Sequence, residues 1–426
     1  MVAPGLPLPE LWDRIIGFIP PTPALTPTLK HLALVCRTFA PAAQRSLFRR
    51  IFIEDGQKVE YERPELVVDR RAITGTVVAG YLADLLASSP HLLPFIHELK
   101  VKSRHAECYH ILSTIPWVSL RSLYLTDFST SIPSSARSRI ASLLSMSSLR
   151  RLEISGDNGF LPSKRTAEWI EWILLSCSAD PEFLILQGIY IEMEDFSQGT
   201  IKHTSSSSQS RARLRELSLE NCKGVHGLLL YAFDFTLRRF QCSNAYSPDV
   251  VPFMHQIGSN VEHLVVSSLD PELEQIDLAA AFPSLTTISS PSPPSLPRAE
   301  LTFDHSTGLQ KSVSPPASSF NAMLRTVSTN NKISRIVFEA QLHFFRTTSD
   351  TYPRWFKKSI AEFEEIAVSQ LHALQVVEVQ VDASRSIDSF RWDEPYDEVV
   401  KAVRNVFPIL HQRGLLSISS LSPSYE

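Results

Sequence analysis

The stretch RHAECYH, residues 104–110, sets His105, Glu107, Cys108 and His110 within six residues. Imidazole, thiolate and carboxylate are the usual zinc ligands. His-x-Glu is also the first half of a zinc-deaminase signature, whose second half is Pro-Cys-x-x-Cys. No Pro-Cys-x-x-Cys follows, and alternation along a strand or loop would point these side chains in different directions. No metal site is therefore expected. The five cysteines, Cys36, Cys108, Cys177, Cys222 and Cys242, form no C-x-x-C pair. Reduced thiols fit that spacing better than a zinc ribbon or a disulfide framework. The chain has no G-x-S-x-G elbow, no phosphate-binding G-x-x-x-x-G-K-[ST] loop and no H-E-x-x-H. Only 14 of its 426 residues are glycine, too few for a glycine-rich nucleotide cradle. No catalytic residue, cofactor or metal is expected, and the chain reads as a non-enzyme.

The remaining chemistry is that of binding. Net charge is −4, and the arginine pairs Arg49–Arg50, Arg70–Arg71, Arg150–Arg151 and Arg238–Arg239 are scattered, so neither nucleic acid nor an anionic membrane is an expected partner. Several arginines instead recur at one place in a repeated pattern. LRSLYL (120–125), LRRLEI (149–154), LRELSL (214–219), LRRFQC (237–242), VEHLVV (261–266), ISRIVF (333–338) and LQVVEV (374–379) share the template L-x-x-L-x-L. IHELKV (96–101) fits it, and FLILQG (183–188) fits weakly. LRELSLENC extends to the leucine-rich-repeat form L-x-x-L-x-L-x-x-N/C. Copies start every 23–34 residues over most of the run and farther apart towards the C-terminus.

Such a template needs a short strand whose apolar positions enter a core. Between the copies, SARSRIASLLSM, TAEWIEWILLSC and DVVPFMHQIG have helical periodicity. Strand, loop and helix in repetition build an α/β solenoid, a horseshoe with parallel strands on the concave face. The x positions then face a partner. Arg121, Tyr124, Arg151, Arg215, Arg239 and His263 are the candidate target-binding residues. The planar arginine fork favours an acidic or phosphorylated protein. His97 and His263 are read at one shared repeat offset, facing the same surface. Ser/Pro-rich segments at 203–210, 289–297 and 312–319 are expected to be loops, with Ser290, Ser292 and Ser314 each preceding proline or lying beside one as possible phosphorylation sites. Residues 352–374 read as an amphipathic helix, followed by a strand at 374–381, a helix around 396–411 and LLSISS.

The first fifty residues carry a different pattern. Pro9 suits a first helical turn, and Leu11, Trp12, Ile15, Ile16 and Ile19 share a face until Pro20–Pro21. Thr26–Pro27 starts a second helix bearing Leu29, Leu32, Ala33, Val35, Cys36 and Phe39, with Leu34 on another side. Pro41 opens a third with Leu47 and Phe48, and Ile51 and Ile53 alternate as in a strand. An apolar surface too wide for its own neighbours is a binding surface.

LPLPELWDRIIGFI followed by LKHLALVCRTFAPAAQRSLFRRI resembles an F-box: Leu8–Pro9, Glu10–Leu11, Ile15–Ile16, then Leu32, Val35, Cys36, Arg37 and Phe39. The trailing SLFRRI resembles F-box proteins abundant in mushroom-forming fungi. The resemblance spans roughly residues 6–53. It implies docking on an SKP-type linker protein through Leu8, Pro9, Leu11, Ile15, Ile16, Leu32, Leu34 and Val35, and through that linker a cullin and a RING subunit. The expected architecture is an F-box-like helical domain over 1–53, a linker and cap over 54–95, and a leucine-rich-repeat-like solenoid over 96–426. The expected role is substrate recognition for an SKP/cullin/F-box ubiquitin ligase. The rival reading is a leucine-rich scaffold with no ligase link. With no apolar run of ~20 residues to span a bilayer and no signal-peptide pattern at the N-terminus, the expected location is cytoplasmic or nuclear.

Overall fold

The computed structural model describes residues 40–54, 75–103, 105–128, 137–156, 164–177, 181–191, 212–243, 250–266, 276–290, 317–328, 330–341, 354–382 and 396–421. Leu8, Pro9, Leu11, Ile15, Ile16, Leu32, Leu34 and Val35 lie outside them, as do the segment 203–210, Ser292 and Ser314.

The template's three apolar positions (first, fourth and sixth) make the strands. Leu120, Leu123 and Leu125 are buried, as are Leu149, Leu152 and Ile154; Leu214, Leu217 and Leu219; and Val261, Leu264 and Val266. Apolar transfer of ~1.5–3 kcal/mol per buried aliphatic side chain makes these triads the main source of stability in each repeat. The chain divides into two units, 1–214 with 227–234 and 215–226 with 235–424. In the first unit lie β1 (Arg50–Glu54), β2 (Glu98–Lys102), β3 (Ser122–Phe128), β4 (Arg151–Gly156) and β5 (Phe183–Gln187). They pair in chain order and all parallel. β6 (Ala212–Glu220) and β7 (Phe233–Ser243) straddle the division. The second unit continues with β8 (His263–Val266), β9 (Thr287–Ser290), β10 (Arg335–Gln341), β11 (Val376–Asp382) and β12 (Leu416–Leu421), again parallel and in chain order. The fold is α/β, strand following helix in solenoid-like order. Among the described residues no helix is long and apolar enough to cross a membrane.

One backbone device recurs. The carbonyl at the second template position of a repeat accepts N–H bonds from the second and third positions of the next. His97 O takes Arg121 N (2.8 Å) and Ser122 N (3.0 Å), and Glu262 O takes Thr286 N (2.9 Å) and Thr287 N (3.0 Å). This bond fixes the repeat frame independently of side-chain identity, and it corrects the sequence reading in three places. Arg49 O accepts from His97 N and Glu98 N, both at 3.0 Å, so FRRIFI (48–53) is itself a repeat. The expected boundary at 53/54 therefore cuts through the first strand, and β1 belongs with the repeats. Arg150 O accepts from Glu182 N and Phe183 N; the fifth copy is PEFLIL (181–186), with Leu184 and Leu186 buried, rather than FLILQG. Thr286 O accepts from Ser334 N and Arg335 N, which makes LTTISS (285–290) a further copy.

The last correction removes part of an expected loop. Ser289 and Ser290 stand in β9 and are buried, Ser290 to 1% exposure. Ser290 is consequently no surface phosphorylation site in this fold. Likewise the segment 312–319 ends in a helix, Ala317–Arg325. Two serines at the end of a strand mimic a polar loop; burial in the array overrides that composition.

The expected helices form as Arg137–Leu144, Lys164–Ser176, Val250–Ile257 and Arg354–Ser369. The helix expected around 396–411 is two, Tyr396–Val406 and Pro408–Gln412, because Pro408 cannot continue the first but suits the first turn of the second. The buried Glu364 carboxylate accepts the otherwise unpaired Leu410 N–H in that second helix at 2.9 Å. Part of the expected cap, 75–95, is the helix Gly75–Ser88 and a 3-10 turn, Pro90–Phe95. The helix Ala40–Phe48 precedes β1.

Candidate functional site

Template positions three, five and seven point away from the apolar positions four and six and form columns across neighbouring strands. These columns are the candidate binding face. RHAECYH contributes nothing to it. Residues 106–110 open the helix Ala106–Thr114, with Cys108 and Tyr109 buried and Glu107 and His110 exposed. Among the described residues no group of three His, Cys, Asp or Glu side chains could hold a metal ion.

In the first unit the register Arg50↔Glu98↔Ser122↔Arg151↔Phe183 builds the position-three column. Phe52, Lys100, Tyr124, Glu153 and Ile185 build position five. The charges neutralise one another: Arg50 Nε lies 2.9 Å from Glu98, Lys102 Nζ 2.8 Å from Glu54, and Arg151 Nη2 3.7 Å from Glu153. The Arg151 guanidinium also sits 5.7 Å from the centre of the Tyr124 ring. Burial raises the Tyr124 hydroxyl above its ordinary pKa, against the pull of Arg151. Phe52, between Arg50 and Glu54 on β1 at the end of this column, is 58% exposed. An exposed aromatic ring bordered by satisfied charges is the profile of a protein contact.

In the second unit Arg239, His263, Thr287 and Arg335 stand in register at position three. His263 Nε2 shares a 2.7 Å hydrogen bond with Ser289 Oγ. Burial, then the positive charges of Arg239 and Arg335, push the imidazole down to about 4. Arg335 is held by Glu378, which also accepts from Gln380 Nε2 (3.0 Å) and Ser419 Oγ (2.8 Å). Burial would raise the Glu378 carboxyl, but these hydrogen bonds outweigh it and hold the group below its ordinary range. Arg239 has no carboxylate within ion-pair distance among the described residues. A base at about 4 is poorly matched to proton transfer near neutrality, and among the described residues no carboxylate bonds the imidazole to orient it as in a serine triad.

Of the six expected target-binding residues, Tyr124, Arg151, Arg239 and His263 stand in face columns. Arg121 and Arg215 occupy position two, at the start of the strand and outside the columns. His97 is also at position two and His263 at position three, so their offsets differ by one residue. Phe52, Ser289, Arg335 and Glu378 were missed. Arg335 and Glu378 stand within ISRIVF and LQVVEV, where the template places them on the face. Phe52 was hidden by the F-box-like run, and Ser289 by the serine-rich segment.

The His263 environment has a measurable consequence. Its folded pKa lies below the ordinary 6.5, so as pH falls from 6.5 towards 4 the unfolded chain takes up the proton first, and stability falls across that window. In a His263→Gln variant the pH 7 and pH 4.5 urea midpoints should lie closer together than in the parent chain. Equal gaps in the two proteins would contradict the assigned environment.

No protein-family profile matches the chain, and no curated protein matches it.

Proposed function

We propose that the chain is a non-catalytic substrate receptor of an SKP/cullin/F-box ubiquitin ligase. The F-box-like residues bind the linker protein, and the strand face of a leucine-rich-repeat horseshoe binds the cargo. The observation that carries this reading is continuity. The F-box-like run ends in SLFRRI, whose last two residues open β1, the first strand of the parallel array, paired with β2. Linker contact and cargo face would then be carried by one chain, and ubiquitin transfer would be promoted by tethering, which raises the local concentration of cargo beside the ligase. The reading places the chain in the cytoplasm or nucleus.

The test is binding of the purified full-length chain to an SKP-type linker at micromolar concentration. Leu34→Asp and Val35→Asp should each weaken binding about 100-fold or more, because each removes an apolar anchor worth ~1.5–3 kcal/mol and adds a charge to a desolvated groove. An unaltered urea midpoint in the variants shows that the loss is in binding. A folded parent chain that does not bind the linker leaves the ligase-free scaffold.

A further inference from the structure

We infer that the outer edge of β1 pairs antiparallel with β1 of a second copy of this chain, centred on Phe52, so that the two first units share one strand face. The inference goes beyond the ligase reading and stands whether or not a linker protein binds. Among the described strands β1 pairs only with β2. The Arg49 carbonyl accepts from His97 and Glu98, so residues 49, 51 and 53 turn their backbone groups to β2, while Arg50 and Phe52 turn theirs away. A row of outward N–H and C=O groups is a template for another strand. Several devices that block such an edge are missing from RIFIE. It has no proline and no lysine, and its register with β2 runs from Arg50 to Glu54 unbroken by a bulge. Its Phe52 ring is 58% exposed.

The order of the side chains selects the occupant. Arg50, Phe52 and Glu54 alternate onto one face of β1, with a positive charge before the ring and a negative charge after it. A two-fold axis normal to the sheet, passing beside Phe52, sets Phe52 opposite the partner's Phe52. It also sets Arg50 opposite the partner's Glu54, once on each side of the axis. Opposite charges and paired aromatic rings are favourable cross-strand neighbours, and the two Phe52 residues exchange both outward backbone bonds. Such an axis closes the assembly at two copies. A parallel addition in register would instead set Arg50 against Arg50 and Glu54 against Glu54, and a slip by one pair would set Phe52 against a charge. Arg50 already meets Glu98, and Glu54 already accepts from Lys102. A guanidinium has further donors and a carboxylate further acceptor sites, so the new pair adds to the old ones. At the other end of the strand order, β12 reads LSISSL. It carries no charge with which to select a register.

The experiment is sedimentation velocity on the purified full chain over a concentration series, with hydrogen exchange at the two ends of the series. The parent chain is expected to pass reversibly from monomer to dimer. The Phe52 amide, which faces away from β2, should gain protection as it does so. Phe52→Pro deletes that outward N–H without touching the β1–β2 ladder. It should weaken dimerisation about tenfold or more, because both copies lose a backbone bond and a ring. Arg50→Glu and Glu54→Arg should each stay monomeric over the same series, since each sets like charges opposite one another at two places. Mixed in equal amounts, the two variants should pair with one another, because every glutamate then faces an arginine. The rescue is read on the variants themselves, so misfolding cannot imitate it. A parent chain that stays monomeric throughout, a dimer indifferent to Phe52→Pro, or a mixture that does not pair overturns the inference. Linker binding is measured on Leu34→Asp and Val35→Asp, so failure here and failure of the ligase reading are distinct results.

Discussion

Phe338→Ala is expected to destabilise the second unit by about 3–5 kcal/mol, the range for removing a buried aromatic ring. Phe338 fills the sixth template position of β10 and meets three other rings: Phe320 at 5.8 Å, Phe363 at 5.2 Å and Phe407, stacked, at 6.2 Å. All four rings are fully buried. They come from a strand and the helical segments that cover it, so the hole cannot be closed by one side chain moving. Each lost ring pair removes a further ~0.5–1.5 kcal/mol beyond area burial. A domain is stable by only about 5–15 kcal/mol, so a loss of this size is a large share of the total. In a stack of repeats stability is passed between neighbours. The loss should therefore appear locally, as hydrogen-exchange protection that disappears over 317–328, 330–341, 354–382 and 396–421 while β2 and β3 keep theirs. Phe338→Leu, which fills part of the hole, should cost much less. Unchanged protection over those four segments in Phe338→Ala would contradict the packing described.

The strength of the repeat pattern decided what could be read in advance. Where three aliphatic residues stood at the right offsets, as in LRRLEI or VEHLVV, the strand, its frame and its buried set followed from the sequence. The template failed where composition departed from it. In LTTISS serine takes the sixth position, and in PEFLIL proline takes the first while the hydrophobic Phe183, two residues on, offers a false frame. In both cases the frame is held by backbone bonds to the preceding repeat, which no residue type announces. FRRIFI was lost for another reason: it also completes the F-box-like run, and one stretch served two patterns. On the face, Arg239 and His263 occupy x positions of the template, and the register sets them side by side at position three. The ion pairs were beyond reach, because Arg50–Glu98, Lys102–Glu54 and Arg335–Glu378 join strands 43–48 residues apart in the chain. An arginine-rich reading of the face is therefore too simple. In the first unit Arg50 and Arg151 are already matched by acids, whereas in the position-three column of Arg239 and His263, among the described residues, Arg239 has no carboxylate within ion-pair distance.

That column depends on one glycine. In Gly258→Ala the new Cβ would lie 2.1 Å from the Ala281 carbonyl oxygen and 2.7 and 2.8 Å from two carbons of the Phe282 ring. The ring has little room, since Phe282 is buried at 2% exposure. The carbonyl cannot yield alone, because its peptide lies in a short helix whose N–H groups are tied. Ala281 donates to Asp277 O, Phe282 to Leu278 O, and the Asp277 side chain caps the helix through Ala280 N. Phe282 O in turn accepts from Leu285 N, and Thr286 N, one residue on, bonds back to Glu262 O. A displacement at Ala281 is thereby delivered to the start of β9 and to the backbone beside His263. Overpacking usually costs ~1–3 kcal/mol and more where backbone must move, so Gly258→Ala should lose about 3 kcal/mol. The same shift should loosen the 2.7 Å His263–Ser289 bond and admit water to the ring, and with its burial, the first cause of the low value, relieved, the imidazole should rise from about 4 towards its ordinary value. A distant destabilising change such as Leu123→Ala should lower the urea midpoint without moving the His263 titration. If Gly258→Ala keeps the parent midpoint, the close approach of the two repeats is not as described. If it lowers the midpoint but leaves His263 titrating near 4, the contact of Gly258 with Ala281 and Phe282 does not set the geometry of the face.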